Sequence, residues 1–292
     1  MTVQTAPANG IEIAYETFGD PSGRPLLLVM GLATQMLAWH EEFCGALVDL
    51  GFHVVRYDNR DIGLSTHLHD APPPDVMAAF GGDTSSASYT LDDLADDVVA
   101  LLDHLGIDRA HVVGASMGGM IAQTVAIRHP ARVASLTSIM STPSPTVGSP
   151  TQEAMAVLFA PPATSREEAV QRARQTYEVI GSPGYPLDVA WLETISGEAY
   201  DRAYDPLGVA RQLLAIHASG DRTPGLRELA VPTLVVHGDA DPLVQVAGGH
   251  ATAEAVPAAE LLVLEGMGHN LPRELWPQIT EAIAKVADRA AK

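Results

Sequence analysis

Short apolar runs alternate along this chain with longer stretches of helical periodicity, and that rhythm limits the folds open to it. The runs are Pro25–Gly31 (PLLLVMG), His53–Asn59 (HVVRYDN), Ala110–Ser116 (AHVVGAS), Val133–Met140 (VASLTSIM), Val231–Gly238 (VPTLVVHG) and Ala259–Gly266 (AELLVLEG). Each is far shorter than the roughly 20 apolar residues of a membrane span. Each reads instead as a strand buried on both faces. Such strands, joined by helices, form a mostly parallel sheet covered on both sides. A hairpin within Thr2–Gly19, turning at Asn9-Gly10, adds two antiparallel strands at one edge, for an eight-stranded sheet. With 292 residues, 47% of them hydrophobic, the chain suits one large α/β domain, or one with an insertion, better than two equal halves.

The intervening stretches predict helices over Met36–Gly51, Leu91–Leu105, Met117–Arg128 and Arg273–Ala290. In the second of these, Leu91, Leu94, Ala95, Val98, Leu101, Leu102 and Leu105 form one face. Asp92, Asp93, Asp96 and Asp97 fall mostly opposite, as a solvated face, and Thr90 with Asp93 matches a capping box.

One segment breaks the rhythm. From Thr142 to Ala230 there is no clear strand. The segment opens with the proline-rich STPSPTVGSP, then carries four helical patterns over Thr151–Ala160, Ser165–Gly181, Pro186–Asp201 and Asp205–Gly220. The expected organisation is a core of residues 1–141 and 231–292, with residues 142–230 inserted as a helical cap over one edge of the sheet. His67–Tyr89 reads as a long surface loop.

Composition narrows the function classes. The net charge of −19 repels nucleic acid and anionic membrane surfaces. Cys44 is the only cysteine, so no internal disulfide is possible, which fits a reducing compartment. No signal-peptide pattern is visible at the N-terminus. A cytoplasmic protein acting on a small molecule is the expectation.

The third run ends in Gly114-Ala115-Ser116-Met117-Gly118, a G-x-S-x-G pattern between an expected strand and an expected helix. In that context it is a nucleophile elbow: the turn is so tight that flanking glycines are required, and the serine hydroxyl stands exposed above the sheet edge. The helix behind it aims its N-terminus at the same point, favouring negative charge there. The bland reading is a glycine-rich turn whose serine merely caps the helix. A serine needs a base, and the base needs an orienting acid. Both are available further on, each in a loop just past a strand, where sites gather in open α/β sheets. Asp239 and Asp241 follow the fifth run, and His269 follows the sixth, in Gly268-His269-Asn270. Of the other histidines, His217, His237 and His250 read as structural or surface residues.

These residues, in this order, resemble the α/β-hydrolases over essentially the whole chain. The stretches VMGLATQMLAWHEEFC and FCGALVDLGFHVVRYDNRDIGLST are similar to the aclacinomycin methylesterase branch and to actinobacterial lipase-like esterases. The resemblance implies that the acid is Asp241, two residues past the aspartate of H-G-D-x-D, with Asp239 shaping the loop. Asp61 stands where the wider family carries glycine in a D-x-R-G-x-G-x-S loop, a departure the branch shares. The resemblance also implies an oxyanion hole made by the Met117 N–H and an N–H after the first run. Relatives often have His-Gly there; this chain has Met30-Gly31-Leu32, which makes Leu32 the candidate donor.

The expected chemistry is hydrolysis of a small-molecule carboxylic ester through an acyl-enzyme on Ser116, with no metal or other cofactor. No acid stands in metal-ligand spacing with a histidine or cysteine, and the glycines around Ser116 lack a P-loop lysine. Trp39, Met36, Trp191 and Leu158 are candidate pocket residues, and Met155, Phe159, Leu192, Tyr200 and Tyr204 are further apolar or amphipathic positions on cap helices. A carbon–carbon bond hydrolase with the same three residues stays open as an alternative, as does perhydrolase or acyltransfer activity. A ligand-binding protein that keeps the fold is a third reading. Dehalogenases and epoxide hydrolases of this fold carry aspartate at the elbow, against Ser116.

Overall fold

The computed structural model describes residues 2–290. Eight strands form one sheet: β1 Gln4–Ala8, β2 Ile11–Phe18, β3 Arg24–Val29, β4 Phe52–Tyr57, β5 Ala110–Ala115, β6 Val133–Ile139, β7 Thr233–Gly238 and β8 Glu260–Leu264. Their order is β1-β2-β4-β3-β5-β6-β7-β8. The β1–β2 and β2–β4 pairs are antiparallel and all other pairs parallel, as the edge hairpin and the apolar runs require. The helices are α1 Glu41–Asp49, α2 Val76–Phe80, α3 Leu91–His104, α4 Met117–Arg128, α5 Gln152–Leu158, α6 Arg166–Ile180, α7 Val189–Arg202, α8 Pro206–Ala218, α9 Thr223–Leu226, α10 Ala247–Ala255 and α11 Trp276–Arg289. None is long and apolar enough to cross a membrane.

Side chains leave the inner strands alternately for two cores, whereas β8, at the sheet edge, leaves Leu261 and Val263 exposed and is not buried on both faces. On β3, Leu27 and Val29 pack with α3 and α4 residues such as Val98 and Ile121. Leu26 and Leu28 join Phe43, Leu47, Ile279 and Ile283 from α1 and α11. Parallel strands need a crossover, and most crossovers are these helices.

Local readings needed correction where tertiary contacts compete with pattern. Met36–Gly51 is not one helix. A 3₁₀ turn over Met36–Ala38 stops at Trp39, and α1 starts after His40, whose side chain accepts from the Glu42 N–H. Arg56 takes the freed Trp39 carbonyl. The 67–89 loop contains α2, capped by Asp75. The β7–β8 crossover, α10, is AGGHATAEA, whose glycines hide a helical pattern. They are there for space: a Cβ on Gly249 would lie 2.6 Å from the His237 ring. The capping box at Thr90 and Asp93 forms, yet Asp97 is not solvated with its acidic neighbours. It is buried and holds Arg60 through Nε at 2.6 Å.

His111 on β5 gives the sheet a pH sensitivity. It is buried, edge-on to Phe52 at 5.6 Å, with Nδ1 2.8 Å from Ser135 Oγ. Burial, helped by Arg24 and Arg109, pushes its pKa from the ordinary 6.5 down to about 4. An unfolded chain therefore takes up a proton on His111 below about pH 6.5 that the folded chain accepts only near pH 4. Stability falls across that window, by about 2–3 kcal/mol from this residue. Urea melts at pH 7 and pH 4 are expected to show that much more loss in the parent than in His111→Gln. Equal losses would remove His111 as the source.

Candidate active site

Ser116 sits between β5 and α4 at φ 56°, ψ −122°, outside the regions a side chain prefers. The two glycines of the pattern make the turn sterically possible. A Cβ on Gly114 would meet the Gly118 carbonyl oxygen at 2.0 Å, and one on Gly118 would meet the Val29 oxygen at 2.1 Å. Ser116 makes no capping bond from its side chain, unlike the serine of the bland reading. Its Oγ lies 2.9 Å from His269 Nε2.

His269 lies in the loop after β8, buried, with Nδ1 2.7 Å from Asp241 Oδ2. Asp241 Oδ1 accepts the N–H groups of Leu243 and Val244, both at 2.9 Å. The carboxylate is thus fixed on one side and left to the imidazole on the other. His237 sits behind it, fully buried, bonded through Nε2 to the Val244 carbonyl at 2.7 Å. Burial lowers its pKa. Asp239 is exposed and accepts from Gly266 N–H at 2.7 Å, bracing the β7 loop against the β8 loop. Three groups that sequence separates by up to 153 positions therefore stand in hydrogen-bond contact. A hydroxyl, a base able to take its proton and a carboxylate able to orient that base form a set suited to nucleophilic attack on a carbonyl.

The Gly31 loop after β3 closes on the serine: a Cβ on Gly31 would come 3.0 Å from Ser116 Cβ. The Leu32 N–H and the Met117 N–H, at the first position of α4, donate to no protein acceptor among the described residues. They remain available to an oxygen above Ser116.

A cavity of about 820 Å³ opens over these groups. Of the candidate pocket residues, Trp39, Trp191 and Leu158 line it. Met36 does not. It is fully buried in the 3₁₀ turn, where its N–H donates to Asp58 Oδ1 at 2.7 Å. Met155, Phe159 and Leu192 face the cavity, whereas Tyr200 and Tyr204 pack on one another at 4.9 Å outside it. His217, read as structural or surface, lines the cavity beside Phe80, ring centres 4.6 Å apart. His250 is exposed.

The segment between β6 and β7 also grips the loop that carries His269, which no sequence signal announced. The His269 N–H donates to the Ile180 carbonyl at 2.7 Å, at the end of α6. Gly268 N–H donates to Ser182 Oγ at 2.8 Å. One histidine–acid grouping was likewise invisible: Asp205 approaches His67 and His69, which belong to a distant segment. His67 and Asp205 are already engaged. His67 Nδ1 lies 2.9 Å from Asp205 Oδ2, His67 Nε2 lies 3.0 Å from the Gly63 oxygen, and Arg211 reaches the same Asp205 oxygen at 3.3 Å. The grouping does not touch the cavity.

Comparison with known proteins agrees with this architecture. Residues 24–176 match the family model described as alpha/beta hydrolase fold. The chain is similar to the rhodomycin D methylesterase of Streptomyces peucetius, 28% identical over 290 residues and 92% of each chain. It is similar to 3-oxoadipate enol-lactonase 2 of Acinetobacter baylyi, 28% identical over 263 residues, 89% of this chain and 88% of that one. Among solved structures, the enol-lactonase from Burkholderia xenovorans superposes with a TM-score of 0.75 at 25% identity, covering 98% of this chain and 100% of that one. The elbow, the sheet order and the family match together place the chain in the α/β-hydrolase fold family.

Proposed function

We propose that the protein is a carboxylic ester hydrolase that works through an acyl-enzyme on Ser116. The observation that carries this reading is His269 bridging Ser116 at 2.9 Å and Asp241 at 2.7 Å beneath an apolar cavity. As Ser116 Oγ attacks the ester carbonyl, His269 Nε2 takes its proton and Asp241 steadies the imidazolium. The Leu32 and Met117 N–H groups receive the tetrahedral oxyanion. His269 then gives the proton to the leaving alcohol. Water attacks the acyl-enzyme by the same route and releases the acid. The names of the methylesterase and enol-lactonase relatives support ester chemistry. The lone, buried Cys44, whose thiol burial pushes up to about 12, fits a cytoplasmic setting.

Residues 142–230 act as a cap that sizes the substrate. The cavity, within the range of drug-sized ligand sites, has room for more than a short acyl chain. The test is a series of p-nitrophenyl esters of rising chain length, with a phosphonate that labels Ser116. Turnover of the series, lost in proportion to label, is the expected result. No hydrolysis across the panel, with cleavage of a vinylogous diketone instead, would transfer the site to carbon–carbon bond hydrolysis.

Trp191 tests the cap directly. It is half-buried, lines the cavity, and packs on His40 with ring centres 5.2 Å apart. Trp191→Ala is expected to shift the ratio of kcat/KM between a short and a long ester by about three- to tenfold, since part of a large apolar side chain's burial is lost. Acylation by a small activated acetate stays within about tenfold of the parent. An unchanged ratio with a clearly lower Tm makes Trp191 an anchor of cap to core and removes it from the pocket.

A further inference from the structure

The loop that would supply the Leu32 N–H is held largely by the segment above it. Below, Asn59 Nδ2 donates to the Met30 carbonyl at 2.9 Å. Beyond the loop, Gln35 Nε2 donates to the Ala199 and Ala203 carbonyls at 2.7 and 3.1 Å, at the end of α7. Between them Ala33 takes a φ of 62°. A side chain adopts that conformation only when its surroundings compel it. The Ala33 N–H donates to Gln212 Oε1 at 3.2 Å. Gln212 lies on α8, fully buried, and its Nε2 donates to the Arg60 carbonyl at 2.9 Å. A donor on one side and an acceptor on the other leave the amide a single orientation.

We infer that Gln212 is a positioning residue for the oxyanion hole, holding the Leu32 N–H in place through its bond to Ala33. The inference rests on the esterase reading. It also makes α8 a link between substrate and catalysis, because Leu213, Ile216 and His217 of the same helix line the cavity. A group filling the cavity presses on the helix that braces the oxyanion loop.

Gln212→Met keeps length and volume but loses both hydrogen bonds. Losing an oxyanion donor outright costs roughly 10²–10³ in kcat. Loosening one by a single residue is expected to lower kcat about 10–30-fold, with KM within about threefold. Affinity for an aryl boronic acid, which forms a tetrahedral adduct on the serine, falls by the same factor. Affinity for the non-covalent carboxylic acid product stays put. A merely structural role would move both affinities together or neither, and either pattern overturns the inference. Should Gln212→Met not fold, the parent enzyme decides: the Ala33 amide is expected to be protected from hydrogen exchange, and exchange at the free-peptide rate overturns the proposal. Ser116→Ala separates the two failures. Turnover retained in Ser116→Ala defeats the esterase reading and this inference with it. Turnover lost there, with kcat and boronate affinity unchanged in Gln212→Met, defeats this inference alone.

Discussion

Ser116→Ala, His269→Ala and Asp241→Asn are each expected to lower kcat by at least about 10³-fold, with KM changed little. In the proposed mechanism the three act as one unit. Without Ser116 there is no nucleophile; without His269 its proton has no acceptor. Asp241→Asn presents the ring with an amide where a carboxylate now stands 2.7 Å from Nδ1, so the imidazolium formed during attack loses its counter-charge. Because each loss already disables the unit, the triple variant should be scarcely slower than any single one. Asp239→Asn is the internal control. Asp239 is exposed and braces Gly266, so its loss should cost less than about threefold. If Asp239→Asn were the more damaging change, the acid would be misassigned.

Arg211→Met is expected to destabilise the fold by about 3–5 kcal/mol. Arg211 on α8 donates to both oxygens of Asp61, from Nε at 2.8 Å and Nη2 at 2.7 Å. Their side chains are 2% and 0% exposed. Tyr89 OH and the Leu68 N–H complete the carboxylate at 2.8 and 2.7 Å. Removing the guanidinium leaves a buried negative charge whose remaining neutral donors do not replace it. Asp61 also sits at φ 66°, where glycine is at ease. Adding Asp61→Gly to Arg211→Met removes the stranded charge and relaxes the backbone, so the double variant should regain most of the loss. Urea unfolding of the two single variants and the double gives the coupling. A loss under about 1 kcal/mol for Arg211→Met would mean that water reaches Asp61.

How much of this was legible follows from the range of each interaction. Period and punctuation are local, so the eight strands, α3, α4 and the elbow could be read directly. The elbow is the extreme case. Gly114 and Gly118 are needed within four residues of one another for a steric reason that holds wherever a strand turns so sharply into a helix. Order along the chain, with loops at strand ends, then pointed to His269 and to Asp239 or Asp241. A resemblance was needed to choose Asp241, because both acids occupy the same loop. The folded chain gives the physical difference between them: Asp241 turns to His269, Asp239 to Gly266.

Where contacts cross between distant segments, the sequence is silent. Met36 and Trp39 lie three residues apart with equal claims on the pocket. Both side chains end up fully buried, Met36 beside Asp58, but only Trp39 also reaches the cavity wall. Asp97 looks like its solvated neighbours until Arg60 arrives from another loop. Asp61 looked like a mere replacement of glycine, and its reason, Arg211, lies 150 residues away. Gln212, an ordinary helix residue by any local measure, touches the peptide next to Leu32 across 179 positions. The sequence by itself determined the sheet, the elbow and the chemical kinds of the candidate site, because those depend on neighbours along the chain. The tertiary structure decided which acid faces the histidine, which side chains face the cavity and what braces the loop carrying Leu32. Those are matters of direction and distance between segments, and no periodicity records them.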